Sequence, residues 1–195
     1  MSHQDAIYRH LREMRAELFN GLPREVRSEI SGGEIVMMMS PVPKHGLAAK
    51  DVVRQLDAQL PEPLLAVENT DTDDASLGKL RMPDIMVAPR AAFDTDEDAV
   101  DARELVLAVE IVSRSNPDND YVRKMADYAA MGIEHYLIVD PRDGTCLYAT
   151  EVGSKGQGPE YLLRTSYPYG DVIRIGDLAT IDTTGLPRYG EKGRR

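Results

Sequence analysis

The chain has 195 residues, of which 42% are hydrophobic and 29% charged, enough for one domain with a sizeable core. Its formal charge of -10 counts against a nucleic-acid binder, because neutralising phosphates supplies much of such a protein's affinity. Much of the acid falls in two stretches that read as loops, Glu68 to Asp74 and Asp94 to Asp101, so a local basic groove is still allowed.

One cysteine, Cys146, excludes an internal disulfide framework and a cysteine-based zinc site, and fits a cytoplasmic protein. No apolar run approaches the ~18 residues of a membrane span. The N-terminal stretch is too charged for a secretory signal.

In chain order, Ile7, Leu11, Met14 and Leu18 recur at helical spacing and predict a helix from Gln4 to Asn20, stopped by Gly21-Leu22-Pro23. Arg27 to Ser31 and Glu34 to Met39 read as two strands joined by a Gly32-Gly33 hairpin turn. Ser40 to Pro43 is a break. A second helix follows from His45 to Leu60, with Leu47, Val52, Val53, Leu56 and Leu60 on its apolar face. Strands are expected at Leu64 to Glu68, Leu77 to Met82 and Asp84 to Ala88, with Asn69 to Ala75 as a loop and Pro89 to Arg103 as a loop or a short helical turn. Leu105 to Val112 is an apolar run of the kind a doubly buried strand shows. A turn at Ser113 to Pro117 leads to a helix from Asp118 to Met131, ended by Gly132. Strands at His135 to Asp140, Thr145 to Glu151, Tyr161 to Ser166 and Val172 to Ile175 complete a mixed α/β sheet domain.

One residue does not belong in its surroundings. Glu110 lies within the Leu105 to Val112 run, and a carboxylate in a buried strand costs several kcal/mol unless a cation, a metal or a proton compensates it. A second acid, Asp84, opens the preceding strand. Taken alone, Asp84 reads as a turn carboxylate capping an amide, whereas Glu110 reads as a site acid, with half of a buried salt bridge as the lesser alternative. Together, on neighbouring strands, they can share one hard cation, magnesium or manganese.

Lys124 comes from the following helix. The helical wheel puts Val122, Met125, Ala126 and Ala129 on the apolar stripe and Lys124 off it, beside Tyr121 and Tyr128. A solvated lysine paired with Asp120 is the expected outcome, and a transition-state ammonium is the functional alternative. Glu29 and Glu34 flank the Gly-Gly turn, where an exposed acid is the commoner outcome and a third site carboxylate the alternative. His45 reads as a capping or surface histidine, with a base as its alternative. His3, His10 and His135 lack ligand spacing, and Cys146 reads as a buried strand residue.

Several pieces then match a known pattern in the right order. They are Glu29 to Val36, Ser40-Pro41 before His45, Arg81 to Val87, Leu107 to Ser113, Asp120 with Lys124 to Tyr128, and Gly132 to Pro141. Over roughly Arg27 to Ile175 the chain resembles the Uma-two family of the PD-(D/E)XK nuclease superfamily. The resemblance implies a restriction-endonuclease-like fold, a central mixed β-sheet flanked by helices. Residues 1–195 would form one such domain, with an N-terminal helix in residues 1–22 and a frayed tail at 185–195. It implies Asp84 and Glu110 as metal ligands for Mg2+ or Mn2+. The superfamily's lysine would fall at Val112, and Lys124 from the next helix is expected in its place. Glu29 matches the acid that the family carries ahead of its Gly-containing turn.

The expected function is metal-dependent hydrolysis of DNA phosphodiester bonds by Asp84, Glu110, Lys124 and Glu29. The rival is an inert nuclease-fold binding or regulatory module, which the acidic charge favours. DNA is the expected partner, without a membrane. A homodimer also fits, since lone catalytic domains that cut duplexes often pair.

Overall fold

The structure is a computed structural model that describes residues 3–20, 26–39, 42–114, 116–156 and 158–190. Helix α1, His3–Phe19, precedes a hairpin of β1, Val26–Ser31, and β2, Glu34–Met39. Gly32 and Gly33 both take positive φ, 61° and 77°, which a two-residue hairpin turn of this hand requires. Helix α2 spans Pro43–Asp57, then β3 Leu64–Glu68, β4 Thr72–Asp74, β5 Lys79–Arg81 and β6 Ile85–Pro89. A single turn α3, Arg90–Phe93, and a short β7, Val100–Asp101, precede β8, Leu107–Ile111. A π-helical segment, Asn119–Lys124, runs directly into α4, Met125–Ala130. The remaining strands are β9 His135–Asp140, β10 Thr145–Ser154, β11 Pro159–Pro168, β12 Val172–Ile175 and β13 Ala179–Asp182.

The central sheet is mixed and six-stranded, in the order β11-β10-β9-β8-β6-β3. Only β8 and β9 run parallel, joined by the crossover through α4, and the other neighbours are antiparallel. Side chains alternate between its faces. Ile85, Val87, Leu107, Val109 and Ile111 pack with Val52, Val53 and Leu56 of α2. Met86, Ala108, Tyr136 and Ile138 pack with Met125, Tyr128 and Ala129 on the side of α4. Burial on both faces is why the β8 sequence reads as continuously apolar. Glu110 alternates onto the α4 face.

A second sheet, β2-β1-β5-β4-β7, packs under α1 through Tyr8, Ile30 and Leu80. It corrects the loop expected from Asn69 to Ala75, since Thr72–Asp74 pairs with β5 and β7. The stretch after Pro89 holds the short helical turn allowed there, α3, and also the unpredicted β7. Such two- and three-residue strands are too short to carry a readable period. The four-residue β13 also went unpredicted, and it pairs with β12. Pro43, expected in the break, is inside the first turn of α2, where its missing N–H costs nothing. The Gly21-Leu22-Pro23 stop and Ser40-Pro41 lie outside the described residues.

The frayed tail expected from Gly185 does not hold as far as Gly190. Leu186 is buried, the Tyr189 N–H donates to the Pro141 carbonyl at 2.8 Å, and the Tyr189 hydroxyl donates to that of Val112 at 2.9 Å. Residues 191–195 lie outside the described set.

Candidate active site

Asp84 stands at the head of β6 and Glu110 near the end of β8, the strand next to it. Asp84 Oδ2 accepts the Ile111 backbone N–H at 2.8 Å and lies 3.1 Å from His45 Nε2. The carboxylate is thus fixed across the strand pair rather than spent on a local cap, as a turn aspartate would be. Its Oδ1 lies 3.7 Å from an Arg27 nitrogen. Burial acts to raise the Asp84 carboxyl. His45, Lys124 and the Ile111 N–H outweigh it and hold the group below its usual range.

Glu110 is 1% exposed. Its Oε1 accepts the Tyr128 hydroxyl at 2.6 Å and lies 2.8 Å from Lys124 Nζ. Burial, and then repulsion from Asp84, Asp120 and Glu29, pushes this carboxyl well up against the pull of Lys124.

The helical-wheel placement of Lys124 is overturned. Lys124 is 4% exposed, Tyr128 is fully buried, and Val122 of the supposed apolar stripe is 61% exposed. The buried positions Asp120, Lys124, Asp127, Tyr128 and Met131 recur at ordinary helical spacing, so the inward face is this largely polar one and not the side carrying Val122 and Ala126. Lys124 therefore points into the site and touches Glu110 at 2.8 Å, Glu29 at 3.2 Å and Asp120 at 3.9 Å. Burial alone would lower its ammonium, but these acids together raise it. The Asp120 contact exists, buried rather than as a surface pair.

Glu29 is not the exposed hairpin acid that its position suggested. It is 0% exposed, and its Oε1 takes Lys124 and the Met82 N–H, while Oε2 takes Arg81 at 2.5 Å. Arg81, 1% exposed, also grips Asp127, which in turn receives Lys79 and, at 2.7 Å, the Ser31 hydroxyl. Glu29 thus faces this cluster and Lys124 rather than the cavity. Glu34 is exposed beside the turn. His135 bonds Thr150 and Tyr148, and burial pushes the Cys146 thiol up to about 12, so neither joins the site.

A cavity of about 390 Å³ opens onto Asp84, Glu110, Asp120 and Lys124. Burial first, then Asp84 and Glu29, pushes the Asp120 carboxyl up to about 7 despite Lys124. Three acids thus gather at one cavity, with Lys124 against Glu110 and Asp120 and with His45 and Arg27 beside Asp84. That donor set fits a hard divalent ion. Among the described residues no three His, Cys, Asp or Glu side chains stand at coordinating spacing. Magnesium does not need them, because it keeps several waters and takes one or two carboxylates plus substrate phosphate.

Sequence reasoning missed the Arg81–Asp127 pair and the bond from Tyr128 to Glu110. Lys79 and Arg81 alternate onto one face of β5, a period-2 signal, but their partner is 46 or more residues away.

A mixed sheet with acids on adjacent strands and a lysine delivered by the crossover helix defines a restriction-endonuclease-like α/β protein. The profile of the Uma-two family, described as "putative restriction endonuclease", matches residues 14–179, and the chain belongs to that family. Among solved structures, an Anabaena variabilis protein described as "a putative nuclease belonging to DUF820" aligns with a TM-score of 0.66 at 16% identity. The alignment covers 87% of this chain and 95% of that one, and at such identity it shows a shared fold. No curated protein matches the chain.

Proposed function

We propose that the protein is a metal-dependent nuclease that hydrolyses phosphodiester bonds at the cavity bearing Asp84 and Glu110. The observation that carries this reading is the convergence of Asp84, Glu110 and Asp120 on one nucleotide-sized cavity, with Lys124 in contact with the last two. Asp84 and Glu110 would hold magnesium or manganese, which supplies Lewis-acid polarisation of the phosphate and a more acidic bound water. In the reaction water adds to phosphorus, one P–O ester bond breaks, and the departing oxygen takes a proton. Lys124 contributes a fixed ammonium where charge accumulates on the phosphate oxygens. Glu29 is a positioning residue in this scheme, since it holds Lys124 from behind and is itself held by Arg81.

The test is metal-dependent cleavage of plasmid and oligonucleotide DNA by the wild type, Asp84→Asn and Glu110→Gln. Both variants keep the side-chain shape, so folding should survive and cleavage should fall at least about 100-fold. Undiminished cleavage by either variant would sink the assignment. The charge of -10 favours one rival, an inert nuclease-fold binding module. Manganese calorimetry separates the two: binding lost in Glu110→Gln supports the nuclease, and no binding by the wild type supports the module.

A further inference from the structure

Resting on that reading, we infer that the substrate is an unpaired polynucleotide strand, one nucleotide of which enters the cavity, and not an intact duplex. Four features of the cavity carry the inference.

The first is depth. The acids lie at the floor, with Glu110 1% and Asp84 7% exposed. A duplex carries its phosphates on a stiff rod, whereas a flexible single strand can bend one phosphate inward. The second is the wall. Met37 and Val42, 62% and 39% exposed, face the cavity together with Met38. A duplex hides its base faces and has nothing to lay against methionine, but an unpaired base has a polarisable face that suits it.

The third is the rim. The Arg114 guanidinium lies 5.1 Å over the Tyr189 ring at the cavity mouth. An arginine plane on an aromatic ring is the platform on which unpaired bases stack. Tyr189 is fixed there by its bonds to Val112 and Pro141. The fourth is charge. Besides Lys124, Arg27 and Arg114 are the Lys or Arg side chains lining the cavity among the described residues. Two such contacts suit a short stretch of single strand, while a duplex binder draws on many more phosphate contacts. In a chain of charge -10, a duplex would also meet strong repulsion beyond the cavity.

The experiment measures binding and cleavage separately. Full-length Glu110→Gln protein is titrated, by fluorescence anisotropy with calcium present, against a labelled 12-nucleotide DNA strand, the same strand as RNA, and the blunt DNA duplex. At least about tenfold tighter binding of a single strand than of the duplex is expected. Arg114→Ala, added to the same background, should weaken single-strand binding and lower its salt slope by about 0.7, the share of one phosphate. Met37→Asp, on an exposed position of the same background, should weaken it by about tenfold. The DNA and RNA arms identify which sugar the site accepts.

Duplex binding equal to or tighter than single-strand binding overturns the inference. So does the absence of binding to all three ligands. Wild-type cleavage is then read independently. A wild type that cuts duplex as fast as single strand, and loses this in Glu110→Gln, keeps the nuclease reading and overturns this one. A single strand bound in preference to duplex but never cut removes the nuclease reading and leaves the unpaired strand as the cavity's ligand, not its substrate.

Discussion

Asp120 is the residue whose titration is easiest to read, because it lines the cavity and its carboxyl is pushed up to about 7. In the unfolded chain it ionises near 4. Between about pH 4 and 7 the folded protein therefore holds a proton that the unfolded chain has lost, so this group lowers stability as pH rises through that window. Asp120→Asn removes the cost. In metal-free protein, urea unfolding should show the variant more stable than wild type by on the order of 2 kcal/mol at pH 8. The two should be equal at pH 3.5, below both values. A gain that is the same at both pH values would mean that burial and repulsion are not what Asp120 experiences. That this acid is buried could not be read from its spacing to Lys124, because an exposed i,i+4 pair and a buried one have the same sequence.

At the scale of elements, β1, β5 and α4 are tied by a charge cluster with no apolar substitute. Arg81 of β5 holds Glu29 of β1 on one side and Asp127 of α4 on the other, all nearly out of solvent. Removing the cation strands two buried carboxylates, which is the costly way to break such a network. Arg81→Met should lose about 3–5 kcal/mol. For a chain of this size the midpoint should fall by roughly 6–20 °C in a thermal scan. A drop of only a degree or two would show that the cluster contributes little to holding the hairpin against the central sheet. Because Glu29 also positions Lys124, the same variant should slow cleavage at temperatures where it is still folded.

Most elements were legible because their apolar residues keep a period. The second helix, the Gly-Gly hairpin and β3, β6, β8 and β9 were all predicted to within a few residues. The exception is informative. The helix after β8 was predicted, but its inward face was not, since Asp120, Lys124, Asp127 and Tyr128 keep helical spacing yet are polar, and a search for an apolar stripe passes over them.

For the molecule as a whole, metal binding, protonation and stability should be linked. Two of the acids facing the cavity hold protons more tightly than free carboxyls, Glu110 well above its usual range and Asp120 near 7, and a cation must displace those protons. Magnesium at about 100 times its dissociation constant should add roughly 2.7 kcal/mol, or about 5–11 °C in midpoint, at pH 8. At pH 5.5 the gain should be much smaller, because protons compete. Calorimetry in buffers of different ionisation enthalpy should register proton release near pH 7. Equal stabilisation at both pH values would argue that the ion binds away from these acids.

The sequence by itself determined the order and type of most elements, the doubly buried β8 and the anomaly of Glu110 within it. These are local facts, carried by hydrophobic period and by the cost of a buried charge, and both are visible in a run of a few residues. The tertiary structure decided the partners. Glu29 and Arg81 are 52 residues apart in the chain, and Arg81 and Asp127 are 46 apart. Their pairing depends on how two sheets and a helix pack, which no local spacing encodes. The structure also decided that Lys124 faces inward, that Glu29 supports it from behind, and that Met37, Val42, Arg114 and Tyr189 surround the acids. Each of these follows from long-range packing.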